Sequence, residues 1–229
     1  MSEKKLIVKR AGRIDYGKSL DLQKEIEHAV QTGQQADTLL LLEHPHTLTI
    51  GRRGDGSGVL LSKEGVEARG IEIFETNRGG KVTYHGPGQI VGYPIIKLSP
   101  DREDVHRYVR DLEEVLVRTM LHFDIEAFRI HGLTGVHTTQ GKVAAIGVHI
   151  ARWVTTHGFA LNVNTDLSFY DLIVPCEGEP VTSMKRVLGR KFDMSVVEDC
   201  IIGHFADVFE MVPEDARLAR RQRARQSNL

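Results

Sequence analysis

Helical and extended hydrophobic patterns alternate along the chain. From Tyr16 to Gln31, apolar residues recur at helical spacing, with Asp15 placed as an N-terminal cap and Gly33 as a stop. Thr38 to Leu42 is a continuous apolar run typical of a buried strand, and Thr47 to Ile50 predicts a second one. The start of the chain therefore predicts one amphipathic helix followed by two strands.

Later segments repeat this alternation. Five more strands are predicted, at Ile71 to Thr76, Val82 to Tyr84, Gln89 to Lys97, Val143 to Val154 and Phe159 to Val163. A long helix is predicted from Pro100, with Ser99 as its cap, and its apolar stripe comprises Val105, Val109, Leu112, Leu116, Met120 and Phe123. A final helix is predicted from Ser195 to Met211, before Pro213. Strand clusters with only two or three helices indicate an α+β fold, in which helices pack on a mixed or antiparallel sheet.

The chain has 229 residues, of which 41% are hydrophobic, and it contains no internal repeat. We expect a single domain over residues 1–213 and a basic tail over residues 214–229. The tail contains five arginines between Arg217 and Arg225. Such a run is usually a solvated terminus, and its functional interpretation is docking of an acidic partner.

Charge and hydropathy exclude two broad classes of protein. The formal net charge is −1, which argues against a surface devoted to nucleic acid or to anionic lipid. No stretch reaches the roughly eighteen apolar residues that a membrane span needs, and the first residues lack a signal-peptide core. We therefore expect a cytoplasmic protein that binds neither nucleic acid nor membrane.

The two cysteines have different settings. Cys176 lies between Pro175 and Pro180, with Gly178 nearby, so it belongs to a constrained turn and is a candidate nucleophile or an inert loop thiol. Cys200 falls on the apolar side of the last predicted helix, where a free cysteine commonly acts as a small buried hydrophobe.

Lys142 opens an apolar strand in which a charged side chain is out of character. A lysine held in a low-dielectric setting has a lowered pKa and is a candidate base or thiolate partner. The alternative is a side chain that extends from the end of the strand to water.

The segment Arg78 to Gln89 packs four glycines around a strand and a turn. Glycines allow close backbone approach to a ligand, and Thr83, Tyr84 and His85 could orient it. An ordinary hairpin would explain the glycines equally well. Neither this segment nor the glycine loop at Gly51 to Gly58 has the ending that a phosphate-binding P-loop needs.

Eleven histidines raise the question of a metal. His44-Pro45-His46 has a proline between its imidazoles, and neither a His-Glu-x-x-His helix nor a Cys-x-x-Cys pair is present. The sequence therefore predicts no metal site and no cofactor. His157 is consistent either with a buried hydrogen bond or with a place in a site.

Together, these motifs resemble the octanoyltransferase family of protein lipoylation, the lipoyl(octanoyl) transferases, over nearly the whole chain. The most specific segment is Arg78 to Gln89, and Lys142 to Gly147, His157 to Asn162 and Pro175-Cys176 are similar to later family motifs in the same order. The resemblance implies a fold shared with biotin and lipoate protein ligases.

The resemblance also implies roles for residues. Cys176 would be the acyl-accepting nucleophile and Lys142 the group that lowers its pKa. Substrate contacts would come from three groups, Arg78, Gly79, Gly80, Lys81, Val82, Thr83, Tyr84 and His85, then Ala145, Ile146 and Gly147, then Gly158, Phe159 and Ala160. The backbone of Gly79, Gly80 and Gly147 would approach the developing oxyanion and the acyl chain. The family usually has glycine after the nucleophile, where this chain has Glu177, and a neighbouring carboxylate should raise the thiol pKa.

The implied reaction moves an octanoyl group from acyl carrier protein to Cys176 and then to a lysine of a lipoyl domain. The acceptors would be 2-oxoacid dehydrogenase complexes and the glycine-cleavage H protein. Thioester exchange is nearly energy-neutral, so it needs no ATP. Two alternatives remain, an ATP-dependent lipoate or biotin-type ligase and a non-catalytic acyl-binding module.

Overall fold

The computed structural model describes residues 4–174 and 179–215. In chain order, its elements are β1 (Lys4–Arg13), α1 (Tyr16–Gln31), β2 (Thr38–Glu43), β3 (Thr47–Ile50), α2 (Lys63–Glu67), β4 (Glu72–Glu75), β5 (Val82–His85), β6 (Gln89–Ile95), α3 (Val105–His122), β7 (Val136–Thr138), β8 (Gly141–Ala151), β9 (Val154–Asn162), a 3₁₀ helix (Leu167–Leu172), α4 (Met184–Leu188), α5 (Met194–Phe209) and β10 (Met211–Glu214). Within the described ranges, no helix has the length and apolar character needed to cross a bilayer.

Two mixed sheets organise these elements. The larger has the order β10-β1-β2-β6-β9-β8-β7, with β1 parallel to both of its neighbours and the remaining pairs antiparallel. The smaller has the order β4-β3-β5. Helices α3 and α5 pack on the larger sheet around an extensive apolar core. This architecture confirms the α+β fold predicted from the sequence.

The prediction for the first helix is confirmed at both ends, because α1 runs from Tyr16 to Gln31 with Asp15 at the N-cap. Its buried face is more polar than the apolar pattern indicated, since it includes Ser19 and Gln23. The Gln23 side chain accepts a hydrogen bond from the His157 backbone N–H at 2.9 Å, so this polar face supports strand β9.

The prediction that the long helix begins at Pro100 is wrong. Helix α3 begins at Val105, after Asp104, whose carboxylate accepts a hydrogen bond from the Arg107 backbone N–H at 3.0 Å. Arg102, in the loop before the helix, donates a hydrogen bond to the Asp111 carboxylate at 2.6 Å. Val105 is consequently exposed, and Tyr108 begins the buried stripe instead.

The continuous strand predicted from Val143 to Val154 is also wrong, because the chain reverses at Arg152 and Trp153. Both residues have positive φ, 52° and 59°. Tight hairpin turns with positive φ usually contain glycine or asparagine. Because Arg152 and Trp153 occupy these positions here, the sequence carries no sign of the turn. Strands β8 and β9 form a long hairpin across it.

The C-terminal part of the described chain also differs from expectation. Helix α5 ends at Phe209, and Pro213 lies inside β10, an edge strand paired with β1. Asp215 then accepts two hydrogen bonds from the Arg10 guanidinium, at 2.8 and 3.1 Å. The described chain ends at Asp215, and residues 216–229, most of the predicted basic tail, lie outside the described ranges.

Candidate active site

A cavity lies where the smaller sheet meets the β8–β9 hairpin. The empty space in and in front of it amounts to about 1020 Å³, open solvent included. Apolar side chains, including Val82, Ile146 and Phe159, line much of it, while Arg78, Lys142 and Glu179 add charge. An apolar cavity with a few polar groups is the usual form of a small-ligand site.

Most of the residues singled out from the sequence meet in this cavity. The lining includes Arg78, Gly79, Gly80, Val82, Thr83, His85, Lys142, Ala145, Ile146, Gly147, Gly158, Phe159 and Ala160. Two do not reach it. Lys81 is exposed, and Tyr84 is buried in the core of the smaller sheet, where its hydroxyl bonds His46 Nδ1 at 2.8 Å.

Cys176 and Glu177 lie outside the described residues. The chain on either side of them is described, however. Ile173 and Glu179 both line the cavity. Residues 175–178 therefore connect two points of the cavity wall.

Lys142 is held at the start of β8 by the chain that follows Cys176. Its backbone N–H donates to Pro180 O at 2.8 Å, and its carbonyl accepts from Thr182 N–H at 2.9 Å. Glycine at position 141 permits this approach, because a Cβ there would lie 2.4 Å from Pro180 O. The backbone φ of Gly141 is also 123°, a value that other residues rarely adopt. Pairing between distant segments thus fixes the position of Lys142.

The Lys142 ammonium lies 3.2 Å from Glu179 Oε2, and the same oxygen lies 3.0 Å from His137 Nε2. Burial raises the pKa of the Glu179 carboxyl, but the hydrogen bonds from His137 and Lys142 and their charges outweigh this effect, so its pKa is lowered. Glu179 therefore adds a negative charge to the site. Neither Glu179 nor His137 was predicted from the sequence, although Glu179 lies between the same two prolines as Cys176.

Arg78 shapes the glycine loop from within the protein. Its guanidinium donates to Thr49 O at 2.6 Å, to Gly79 O at 2.8 Å and to Lys81 O at 3.1 Å. The Gly79 backbone N–H donates to Val148 O at 3.0 Å and is therefore not free to stabilise an oxyanion, contrary to the sequence-based expectation. Arg78 and Gly79 together hold the loop against β8.

Buried histidines line or lie close to the cavity. Burial and the charge of Arg78 lower the pKa of His157 to about 4. Burial lowers the pKa of His85 well below its usual value, with added repulsion from His44, and burial lowers the pKa of His44 to about 4. These three imidazoles are neutral at pH 7.

The second cysteine has the environment expected of a structural thiol. Cys200 lies on α5, half-buried, and burial raises its thiol pKa to about 11. A thiol with so high a pKa is almost entirely protonated at pH 7 and is a poor nucleophile. Cys200 also does not line the cavity.

Comparison with known proteins agrees with this geometry. Residues 15–206 match the family model of the lipoyl protein ligase A/B catalytic domain. An octanoyltransferase of Solibacter usitatus is 50% identical over 209 residues, which cover 90% of this chain and 94% of the relative.

Solved structures show the same fold. A bipartite lipoate protein ligase from Thermoplasma acidophilum superposes with a TM-score of 0.74 at 16% identity, over 94% of this chain and 87% of the other. Biotin protein ligase from Aquifex aeolicus gives a TM-score of 0.51 at 9% identity, over 90% and 69% of the two chains. The fold similarity and the family resemblance predicted from the sequence are confirmed, and the chain belongs to the octanoyltransferase family, as an acyltransferase with a lipoyl protein ligase A/B catalytic domain.

Proposed function

We propose that this chain transfers an octanoyl group from a carrier-bound thioester to a lysine amine of a lipoyl domain, through a thioester on Cys176. The observation that carries the proposal is the position of Lys142. Lys142 lines a largely apolar cavity, and so do Ile173 and Glu179, which lie three residues before and three residues after Cys176 in the chain.

The cavity suits a linear acyl chain. Ala145 pairs with Ala160 and Gly147 pairs with Gly158 across β8 and β9. These small residues share one face of the sheet, where they leave room for an extended chain. Burial of each methylene group contributes about 0.8 kcal/mol, so an eight-carbon chain gains several kcal/mol from such walls. A shorter acyl group would gain less.

The chemistry proceeds in two exchanges. The Cys176 thiolate attacks the thioester carbonyl, a new carbon–sulfur bond forms, and the carrier thiol leaves with the electron pair of the broken bond. The lysine amine of the acceptor then attacks the Cys176 thioester and displaces the Cys176 thiolate. The proton that the amine loses balances the proton that the carrier thiolate takes up. Neither step changes an oxidation state, and both acyl bonds broken are thioesters, so no nucleotide is consumed.

Lys142 acts on the Cys176 thiol in this scheme. An ordinary cysteine has a pKa near ~8.5 and is only a few per cent thiolate at neutral pH. A neighbouring ammonium stabilises the thiolate, and the low-dielectric walls strengthen that attraction. The Glu179 carboxylate offsets part of the positive charge of the Lys142 ammonium.

The partners follow from the reaction. We propose acyl carrier protein as the donor, and as acceptors the lipoyl domains of 2-oxoacid dehydrogenase complexes and the glycine-cleavage H protein. One site serves both in turn, because the covalent intermediate stores the acyl group between two protein encounters.

Intact-protein mass spectrometry after incubation with octanoyl acyl carrier protein tests the proposal. We expect one octanoyl group on the wild-type chain and on Cys200→Ala, none on Cys176→Ala, and release of the group on addition of a lipoyl domain. Transfer by Cys176→Ala, or transfer only with ATP and free octanoate, would refute it. Stable acyl binding without a covalent adduct would instead indicate an acyl-binding module.

A further inference from the structure

Three potential metal ligands meet between helices α3 and α5, away from the cavity. His122 is the last residue of α3, and Cys200 and His204 lie one turn apart on α5. One donor atom from each residue lies within 4.8 Å of the other two. None of the three residues lines the cavity.

The packing of the two helices creates this group. Residues four apart on a helix lie on the same face, so Cys200 and His204 project together toward the end of α3. The His122 and His204 rings lie 6.1 Å apart between centroids, with an interplanar angle of 71°. The sequence-based expectation of no metal relied on short motifs, and a group assembled from two distant helices leaves no such motif.

The donor set suits one class of ion. A thiolate and two imidazoles favour Zn²⁺ and similar thiophilic ions over Mg²⁺ or Ca²⁺, which prefer oxygen. Tetrahedral zinc binds nitrogen at about 2.0 Å and sulfur at about 2.3 Å, so its ligand atoms lie about 3.5 Å apart. Closing from 4.8 Å requires small side-chain rotations, and the exposed His122 and half-exposed His204 have room to make them.

Charged side chains of both signs lie near the His204 ring. Asp207 lies close enough to His204 for its negative charge to act on the ring. The positive charge of Arg118 opposes a cation here, but Arg118 is ion-paired with Glu114 at 2.8 Å, which offsets part of that charge. Within the described part of the chain, neither the His122 nor the His204 ring makes a hydrogen bond that metal binding would have to break.

We propose that His122, Cys200 and His204 form a binding site for a zinc-like transition-metal ion, separate from the acyl cavity. Three protein ligands leave the fourth tetrahedral position open to water or to a ligand from outside. The ion would link the end of α3 to α5.

Cobalt(II) is a suitable probe, because a cobalt–thiolate bond produces a charge-transfer absorption band that oxygen and nitrogen ligands do not. The experiment uses full-length chain with Cys176→Ala, so that Cys200 is the remaining thiol. We expect one cobalt per chain with this band, and its displacement by one equivalent of Zn²⁺.

Two variants in that background identify the ligands. Cys200→Ser should abolish the band, and His122→Gln should weaken binding at least tenfold. His28→Gln is the matched control, since His28 is also an exposed histidine in the last turn of a helix, and it should leave the titration unchanged.

The proposal is overturned if the Cys176→Ala chain shows no thiolate band at millimolar cobalt, or if His122→Gln binds as tightly as His28→Gln. His122 is exposed at a helix end, so its substitution remains informative even if Cys200→Ser does not fold.

Discussion

Glu179 Oε2 lies 3.2 Å from the Lys142 ammonium, in the segment that also carries Cys176. The proposed thiolate would therefore share its cation with a carboxylate. In the proposed mechanism, the balance between these charges sets the reactivity of the thiol, and each residue can be substituted separately.

Lys142→Ala should move the pH profile of Cys176 alkylation upward. Lowering a thiol pKa by two units takes about 2.7 kcal/mol, which one desolvated charge can supply, so the shift should approach two units. Iodoacetamide alkylation rates between pH 5 and 10 measure it. Lys142→Arg keeps the charge and should retain most of the effect. An unchanged profile in Lys142→Ala would mean that Lys142 does not act on the thiol.

Glu179→Gln should move the same profile in the opposite direction, by less than one pH unit. The amide keeps an acceptor for Lys142 but removes the negative charge that opposes a thiolate. The alkylation rate below pH 7 should therefore rise. A shift to higher pH would show that the Glu179 charge is needed to hold Lys142 in its active position.

The buried histidines should make the protein sensitive to mild acid. Because the pKa of His157 is lowered to about 4, its neutral form stabilises the fold fully above the unfolded-state pKa of ~6.5. That contribution is lost as the pH falls from 6.5 toward 4, at up to about 1.4 kcal/mol per pH unit for each such histidine. Urea unfolding at pH 7, 6 and 5 should show the loss.

His157→Gln should flatten this dependence, while the exposed His28→Gln should not. The sequence is consistent with either a buried hydrogen bond or a place in a site for His157, and in the structure His157 lines the cavity. A pKa of about 4 makes its imidazole a weak base at pH 7, so we expect His157 to shape the cavity rather than to act as the essential base. His157→Gln should thus still form the acyl-enzyme, and a loss as complete as in Cys176→Ala would contradict this role.

Gly147→Ala should weaken substrate binding without unfolding the protein. A Cβ at this position would lie 2.8 Å from Gly79 O and would push the glycine loop off β8, where Gly79 N–H bonds Val148 O. We expect KM for the acyl donor to rise at least tenfold. Gly203→Ala is the control, since nothing lies within 4 Å of its Cβ position. Equal kinetics in both variants would show that the loop does not contact substrate.

Two truncations distinguish the contribution of the basic tail from that of the edge strand β10. Cutting after Asp215 removes the five arginines and should slow acylation by acyl carrier protein at low salt. The effect should fade near 1 M salt, where the Debye length falls to ~3 Å. A small octanoyl thioester should react normally, and equal loss with both donors would contradict a docking role.

Cutting after Pro213 also removes Glu214 and Asp215. The Arg10 guanidinium then loses one ion-pair partner, Asp215, whose side chain is 5% exposed. Its partners Glu198 and Asp199 remain. Loss of charged hydrogen bonds of this kind costs roughly 2 kcal/mol. A urea midpoint equal to that of the longer truncation would show that β10 is dispensable.

The sequence by itself determined the family, the α+β class and most of the elements. Segments such as Tyr16–Gln31 and Thr38–Glu43 carry their periodicity and end signals locally, so their boundaries could be predicted. The glycine-rich segment beginning at Arg78 and the strands that follow Lys142 could be assigned to one site because their motifs are continuous in the chain.

Tertiary structure decided what depends on distant partners. Helix α3 begins at Val105 because the Asp104 carboxylate accepts a hydrogen bond from Arg107 N–H and Arg102 donates one to Asp111. The β8–β9 turn uses Arg152 and Trp153 at positive φ without a glycine. Likewise, Glu179 and His137 join Lys142, and His122 joins Cys200, only when separate segments pack together. Hydrophobic periodicity indicates which face of an element is buried. It does not indicate which polar side chains come into contact when those faces pack together.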